Sequence, residues 1–177
     1  MGARLLDRDR LGDHIDRLYR AAWAMCGSRE EAEDLGQETF ARVLSRPRWL
    51  RGGDDLAYLV KVLRNTMISR RRADRRGPST VPIAEGAEPA DTAPASRPDQ
   101  MAEVREVFAA IAALPADMRD ALVAVDVAGL SYAEAGRLLG AKEATITTRL
   151  HRARGRVTGR MEAPADPAPE PREGVAP

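Results

Sequence analysis

A single cysteine, Cys26, excludes an intrachain disulfide. The only histidines, His14 and His151, lie far apart, so no His/Cys set has the spacing of a metal site, and neither metal nor cofactor is expected. No run of about 18 apolar residues is present, and Met1 to Arg10 alternates charge without an apolar centre; neither a membrane span nor a signal peptide is expected. A reduced, cytoplasmic setting follows. Seven aromatic residues leave a core built on Leu, Val, Ile and Ala, which suits small helical domains. Lysine is scarce as well: Lys61 and Lys142 stand against 26 arginines. Net charge is only +1, so the whole molecule is no polyelectrolyte, and what matters is where the charges sit. No Ser/His/Asp constellation or phosphate-cradling glycine loop appears, and no catalytic residue is expected. Cys26 falls beside an apolar helical face, which reads as a buried inert thiol or as a redox sensor.

The remaining composition divides the chain. Residues 77–100 hold Pro78, Pro82, Pro89, Pro94 and Pro98, and their Glu85, Glu88, Asp91 and Asp99 outweigh Arg97, the pattern of a disordered acidic linker. Residues 161–177, rich in Pro, Ala and Glu, read as a disordered tail. Two helical units remain, 8–76 and 101–160. In the first, Leu11, Ile15, Leu18, Tyr19, Ala22 and Met25 mark a helix that Gly27 ends. Ser28 and Glu31 form a capping box opening a second, with Ala32, Leu35, Thr39, Phe40, Val43 and Leu44 inward and Pro47 past its end. A third starts near Asp54 or Asp55, buries Leu56, Leu59, Val60, Leu63 and Met67, and runs into Arg70, Arg71, Arg72, Arg75 and Arg76. In the second unit, Val104, Val107, Phe108 and Ile111 define a helix ended by Leu114-Pro115, and Met118, Ala121, Leu122 and Val125 the next.

From Leu130 to Arg154 the chain reads as helix, tight turn and basic helix, the arrangement that places side chains in a DNA major groove. Ser131 and Glu134 fit a capping box, and Gly140 falls where a left-handed cap must end the first helix. In the second, Ile146, Leu150, Ala153 and Val157 share one apolar stripe. The opposite side carries Thr148, His151 and Arg152, flanked by Thr147 and Arg154 on one edge and by Arg149 and Arg156 on the other. Arg offers bidentate donors to guanine edges or phosphates, and Thr or His reaches base edges. From charge alone the face could equally be a solvated helix exterior. Cap, turn glycine and basic outer face in one register favour DNA.

Ala32-Glu33-Asp34-Leu35-Gly36-Gln37-Glu38-Thr39-Phe40, Tyr58-Leu59-Val60-Lys61-Val62-Leu63-Arg64-Asn65, Ala113-Leu114-Pro115 and the closing Thr148-Arg149-Leu150-His151-Arg152-Ala153-Arg154 stand in an order and spacing similar to the bacterial sigma-70 family. The two-unit form with a short linker resembles its extracytoplasmic-function (ECF) group over roughly residues 8–160. The resemblance implies an all-α fold of two small helical domains joined by a flexible linker. Residues 8–76 correspond to sigma region 2, and residues 101–160 to the winged-helix-like, four-helix region 4. It implies a monomer, when free, that binds core RNA polymerase through the β′ clamp helices and the β subunit and reads promoter DNA, nucleoid-associated through polymerase. An anti-sigma factor is a candidate partner. The rival reading is a stand-alone helix-turn-helix regulator with an N-terminal sensing domain; a helical enzyme lacks any supporting constellation.

The resemblance also assigns residues. Asp34, Gln37, Glu38 and Arg42 would meet polymerase, on an acidic surface that cannot be a DNA side, although Glu30 and Glu31 also complement a helix dipole. The loop from Arg46 to Asp54 and the helix after it would capture a flipped base of the minus-ten element. Arg48, Trp49, Arg51, Arg64, Asn65, Arg70 and Arg71 are the candidates, with Trp49 stacking on a base for about 1–3 kcal/mol or, alternatively, serving as a core lid. Thr147, Thr148, Arg149, His151, Arg152 and Arg154 would read the minus-thirty-five element. Departures from the family pattern are Gly36 for a larger apolar residue, Tyr58 for Trp, Ser69 for Asp and Thr147 for Lys or Arg, which point to changed promoter preference.

As a free coil the linker spans roughly 25–30 Å, whereas elements about 25 base pairs apart are separated by ~85 Å. The coil cannot hold both units on a promoter without another surface to lie along. Purified protein is therefore expected to bind promoter DNA weakly in gel-shift titrations; tight, promoter-selective binding without core enzyme would contradict this.

Overall fold

The computed structural model describes residues 3–6, 9–45, 49–51, 55–75 and 98–162. A 3-10 turn, Asp9–His14, leads into α1 (Ile15–Cys26). Gly27 ends that helix at φ 84°, a left-handed conformation natural to a residue without Cβ, and its N–H closes on Trp23 O at 2.7 Å. Ser28, in extended conformation, accepts from Glu31 N and starts α2 (Arg29–Leu44). This cap is one-sided, lacking the return bond from Glu31 that a full box requires. A short antiparallel ribbon pairs β1 (Ala3–Leu5) with β2 (Trp49–Arg51) in the register Leu5 opposite Trp49, an addition to a fold expected to be wholly helical. Helix α3 (Asp55–Asp74) follows.

Four more helices follow among the described residues. Helix α4 (Pro98–Ala112) begins inside the stretch read as linker, with Pro98 at its first position, where a missing N–H costs nothing. Residues 77–97 and 163–177, read as linker and tail, lie outside the described residues. Helix α5 (Ala116–Leu122) continues into a π-helical turn, Val123–Val127, in which Ala128 N reaches back five residues to Val123 O at 2.8 Å. Helices α6 (Tyr132–Leu139) and α7 (Glu143–Glu162) form the helix-turn-helix.

The two helical units pack against each other and share one hydrophobic core. Leu18, Met25, Leu35, Leu59 and Leu63 of α1–α3 are fully buried, as are Val123, Ile146 and Leu150 of the second unit. At the junction Trp23 meets Phe108 with ring centroids 4.6 Å apart and planes tilted by 55°. Trp23 is 5% exposed although it lies off the apolar stripe expected for α1; its other neighbours are Tyr19 and, 5.2 Å over the ring, the Arg29 guanidinium. Three residues expected inside are outside: Ile15, Leu44 and Val104 are 51%, 44% and 39% exposed. Ile15 and Leu44 terminate their helices, where the apolar period runs on past the length that a neighbour covers, while Val104 lies in the middle of α4.

Two glycines in helices meet opposite surroundings. A Cβ on Gly36 would touch nothing within 4 Å, whereas one on Gly136 would lie 2.7 Å from the carbonyl oxygen of Ala141. Gly36→Ala is expected to stabilise the protein by about 1 kcal/mol through helix propensity. Gly136→Ala is expected to destabilise it by about 1–3 kcal/mol, because backbone must move aside. Urea unfolding of both variants checks the opposite signs.

Candidate nucleic-acid interface

The helix-turn-helix is fixed by local chemistry. Ser131 N and Oγ donate to Glu134 Oε2 at 2.8 and 2.6 Å, and Glu134 N donates to Ser131 Oγ at 3.3 Å, a complete capping box. These bonds hold the Glu134 carboxyl below the usual carboxylate range. Gly140, at φ 65° and ψ 36°, ends α6, and Ala141 N bonds Gly136 O at 2.9 Å. The tight turn needs Gly136 as much as Gly140, since the chain doubles back directly over it.

Helix α7 then presents two faces. Ile146, Leu150 and Ala153 are buried and Val157 is half-buried, while Thr147, Thr148, His151, Arg152, Arg154 and Arg156 are exposed. Both threonine hydroxyls donate to carbonyls one turn back, Thr147 to Glu143 O and Thr148 to Ala144 O at 3.0 Å each. Their lone pairs and methyl groups remain for an incoming base. The arginines differ. Arg154 is held bidentately by Asp126, at 2.8 and 2.7 Å, and Arg149 Nε lies 3.4 Å from Asp117 Oδ2. Among the described residues Arg152 and Arg156 have no ion pair and are cations of this face free to act first, with the His151 ring exposed beside them.

The first unit carries an acidic face on α2 and a basic one on α3, joined by a shared carboxylate. Asp34 and Gln37 are exposed; Glu38 accepts from Arg42 and from Arg70, each at 2.6 Å. Burial works against the Glu38 charge, yet the hydrogen bonds from Arg70 and Arg42 outweigh it and hold the carboxyl below its ordinary range. Arg70 Nη2 also donates to Asp34 O at 3.0 Å, and Arg71 Nη2 to Met25 O at 3.3 Å. Asn65 is exposed on α3. Its neighbour Arg64 reaches into the second unit and pairs with Asp120 at 2.6 Å. Arg64, Arg70 and Arg71 are thus engaged within the fold rather than projecting as a free basic run. Arg48 lies outside the described residues, as do the side chains of Trp49 and Arg51, whose backbone forms β2.

Asp117, Asp120 and Asp126, which hold three of the candidate arginines, were invisible as partners in the sequence. Asp117 and Asp120 are one turn apart on α5, but that spacing does not say which distant cation each faces. Cys26 is half-buried at the junction, and burial, with Glu31 adding to it, pushes its thiol up to about 11 against the influence of Arg70, Arg71 and Arg119. A thiol so held is protonated and inert, which favours the structural reading over the sensor.

Residues 11–77 match the Sigma-70 region 2 model, and residues 105–157 match Sigma-70, region 4. The chain belongs to the sigma-70 family. It is 36% identical over 154 residues to the ECF RNA polymerase sigma factor EcfG of Rhodopseudomonas palustris, covering 85% of this chain and 82% of that protein. It is 35% identical over 147 residues to the ECF RNA polymerase sigma factor SigE of Mycolicibacterium smegmatis, covering 80% of this chain and 56% of that longer protein. Its fold is like that of the sigma factor RpoE of Bartonella quintana, solved in complex with the anti-sigma factor NepR: TM-score 0.64, 24% identity, 88% of this chain and 96% of that one. Among the described residues of this sigma-70 family chain, no helix is long and apolar enough to cross a membrane.

Asp126 neutralises a cation on the exposed face of α7. Asp126→Asn is expected to strengthen duplex DNA binding and to steepen the dependence of log K on log[salt] by up to about 0.9, one phosphate contact. Fluorescence anisotropy at several salt concentrations measures both.

Proposed function

We propose that this chain is an ECF sigma factor that binds core RNA polymerase and directs it to bipartite promoters, performing no chemistry of its own. The observation that carries this reading is the succession, on one chain, of the region 2 and region 4 matches. A stand-alone regulator would need only the second.

On this reading the exposed face of α7 selects the minus-thirty-five element through Thr147, Thr148, Arg149, His151, Arg152 and Arg154. The α3 surface with Arg64, Asn65, Arg70 and Arg71, together with the β2 region bearing Arg48, Trp49 and Arg51, acts at the minus-ten element. Asp34, Gln37, Glu38 and Arg42 form the polymerase contact on α2. Domain limits of 8–76 and 101–160, a cytoplasmic location and an anti-sigma partner belong to the same proposal. Elements ~85 Å apart require the Trp23–Phe108 junction to open, so polymerase supplies binding energy for that separation as well as the path between the elements.

Run-off transcription with core enzyme tests the proposal. Promoter-specific product is expected, with Arg152→Ala impairing selection of a minus-thirty-five element by roughly 10-fold, a base contact of about 1–3 kcal/mol, and Asn65→Ala impairing selection of a minus-ten element. Core enzyme that yields no promoter-specific product on addition of this chain would end the sigma reading.

A further inference from the structure

The junction between the two units forms an open-sided pocket of about 180 Å³; its Arg64 and Arg71 are also on the surface assigned above to the minus-ten element, whereas Arg72, Arg75 and Arg119 have no role in those assignments. It lies between α3 and the start of α5. Among the described residues its charged lining is Arg64, Arg71, Arg72, Arg75 and Arg119 against one acid, Asp120. That acid is already committed: its Oδ2 takes Arg64 at 2.6 Å, while its Oδ1 is 3.6 Å from Arg119 Nη2, beyond good hydrogen-bond range.

Arg119 is the unusual member. It is 5% exposed, its Nε has no hydrogen-bond partner among the described residues, and its Nη1 makes a long 3.4 Å bond to Ala112 O. A buried guanidinium ordinarily finds a carboxylate, a carbonyl fork or a bound anion, because an unmet charged donor retains the cost of leaving water. Here burial first, and then the nearby Arg71, lower the Arg119 pKa, with Asp120 opposing them only in part. Among the described residues, five cations around one carboxylate leave the site short of negative charge.

We propose that this pocket binds a small phosphoanion, the phosphate or diphosphate group of a free metabolite or nucleotide, clamped between Arg119 of the second unit and the α3 arginines of the first. Planar guanidinium forks match phosphoryl oxygens in pairs, so Arg is the side chain suited to this ligand. The volume exceeds the ~150 Å³ of a cavity that accommodates benzene, ample for a phosphoryl group. Because the lining comes from both units, the ligand binds the packed arrangement and stabilises it by mass action. The site stands on this geometry and does not depend on the sigma-factor reading.

The test uses the full chain with inorganic pyrophosphate as probe, in calorimetric titration and thermal melting at ionic strength held constant with sodium chloride. Saturable one-to-one binding and a melting temperature that rises with pyrophosphate concentration are expected. Arg119→Gln is expected to weaken binding at least tenfold. The Arg72→Ala/Arg75→Ala double variant, altered only at exposed side chains, does the same and decides the matter if Arg119→Gln fails to fold. A melting shift no larger than chloride gives at equal ionic strength overturns the proposal, as does wild-type affinity in the folded variants. So does a short single-stranded oligonucleotide that binds with the same Arg119 dependence while pyrophosphate neither binds nor competes, since the cluster would then serve the DNA backbone.

Discussion

The packing of α1 is the constraint on which the rest of the molecule depends. From Ala21 to Met25 every residue of this helix is buried, and Ala21, Ala22 and Ala24 are 0% exposed. A helix buried all round must be met on every side, and alanines let backbones approach closely. Helices α2 and α3 cover it from one direction, α4 and the π-helical turn from another. Gly27 extends the close approach past its end: a Cβ there would stand 3.0 Å from the Cβ of Ala112. Trp23, packed against the tilted ring of Phe108, makes the second unit complete the surface of the first.

Much of this was legible in the sequence. The inward faces of α2, α3 and α7 follow from apolar spacing, and the turn of the helix-turn-helix from Ser131, Glu134 and Gly140, because those signals act over one or two helical turns. The union of the units was not legible. A run such as Ala21-Ala22-Trp23-Ala24 fits a helix with one covered face as readily as one covered all round, and no local signal tells Trp23 that its partner is 85 positions away at Phe108.

The same distinction governs the candidate site. The identity and outward aim of Thr148, His151 and Arg152 could be read from helical phase. The engagement of Arg154 by Asp126 and of Arg64 by Asp120 could not, since ion pairs over 28 and 56 positions depend on how whole elements dock. A basic stretch read from sequence is a count of cations. The fold decides which are already spoken for.

Glu38 gives that point a thermodynamic consequence. Its two carboxylate oxygens tie Arg42 on one side and Arg70 on the other, so the surface proposed to meet polymerase and the surface proposed to meet the melted strand share one charge. A partner that draws Glu38 away releases Arg70, and DNA that draws Arg70 away uncovers Glu38. Linkage makes the two effects equal in free energy whatever their order. On these assignments, sigma and polymerase hold each other more firmly once the promoter is bound, and loosen together when the strand is given up.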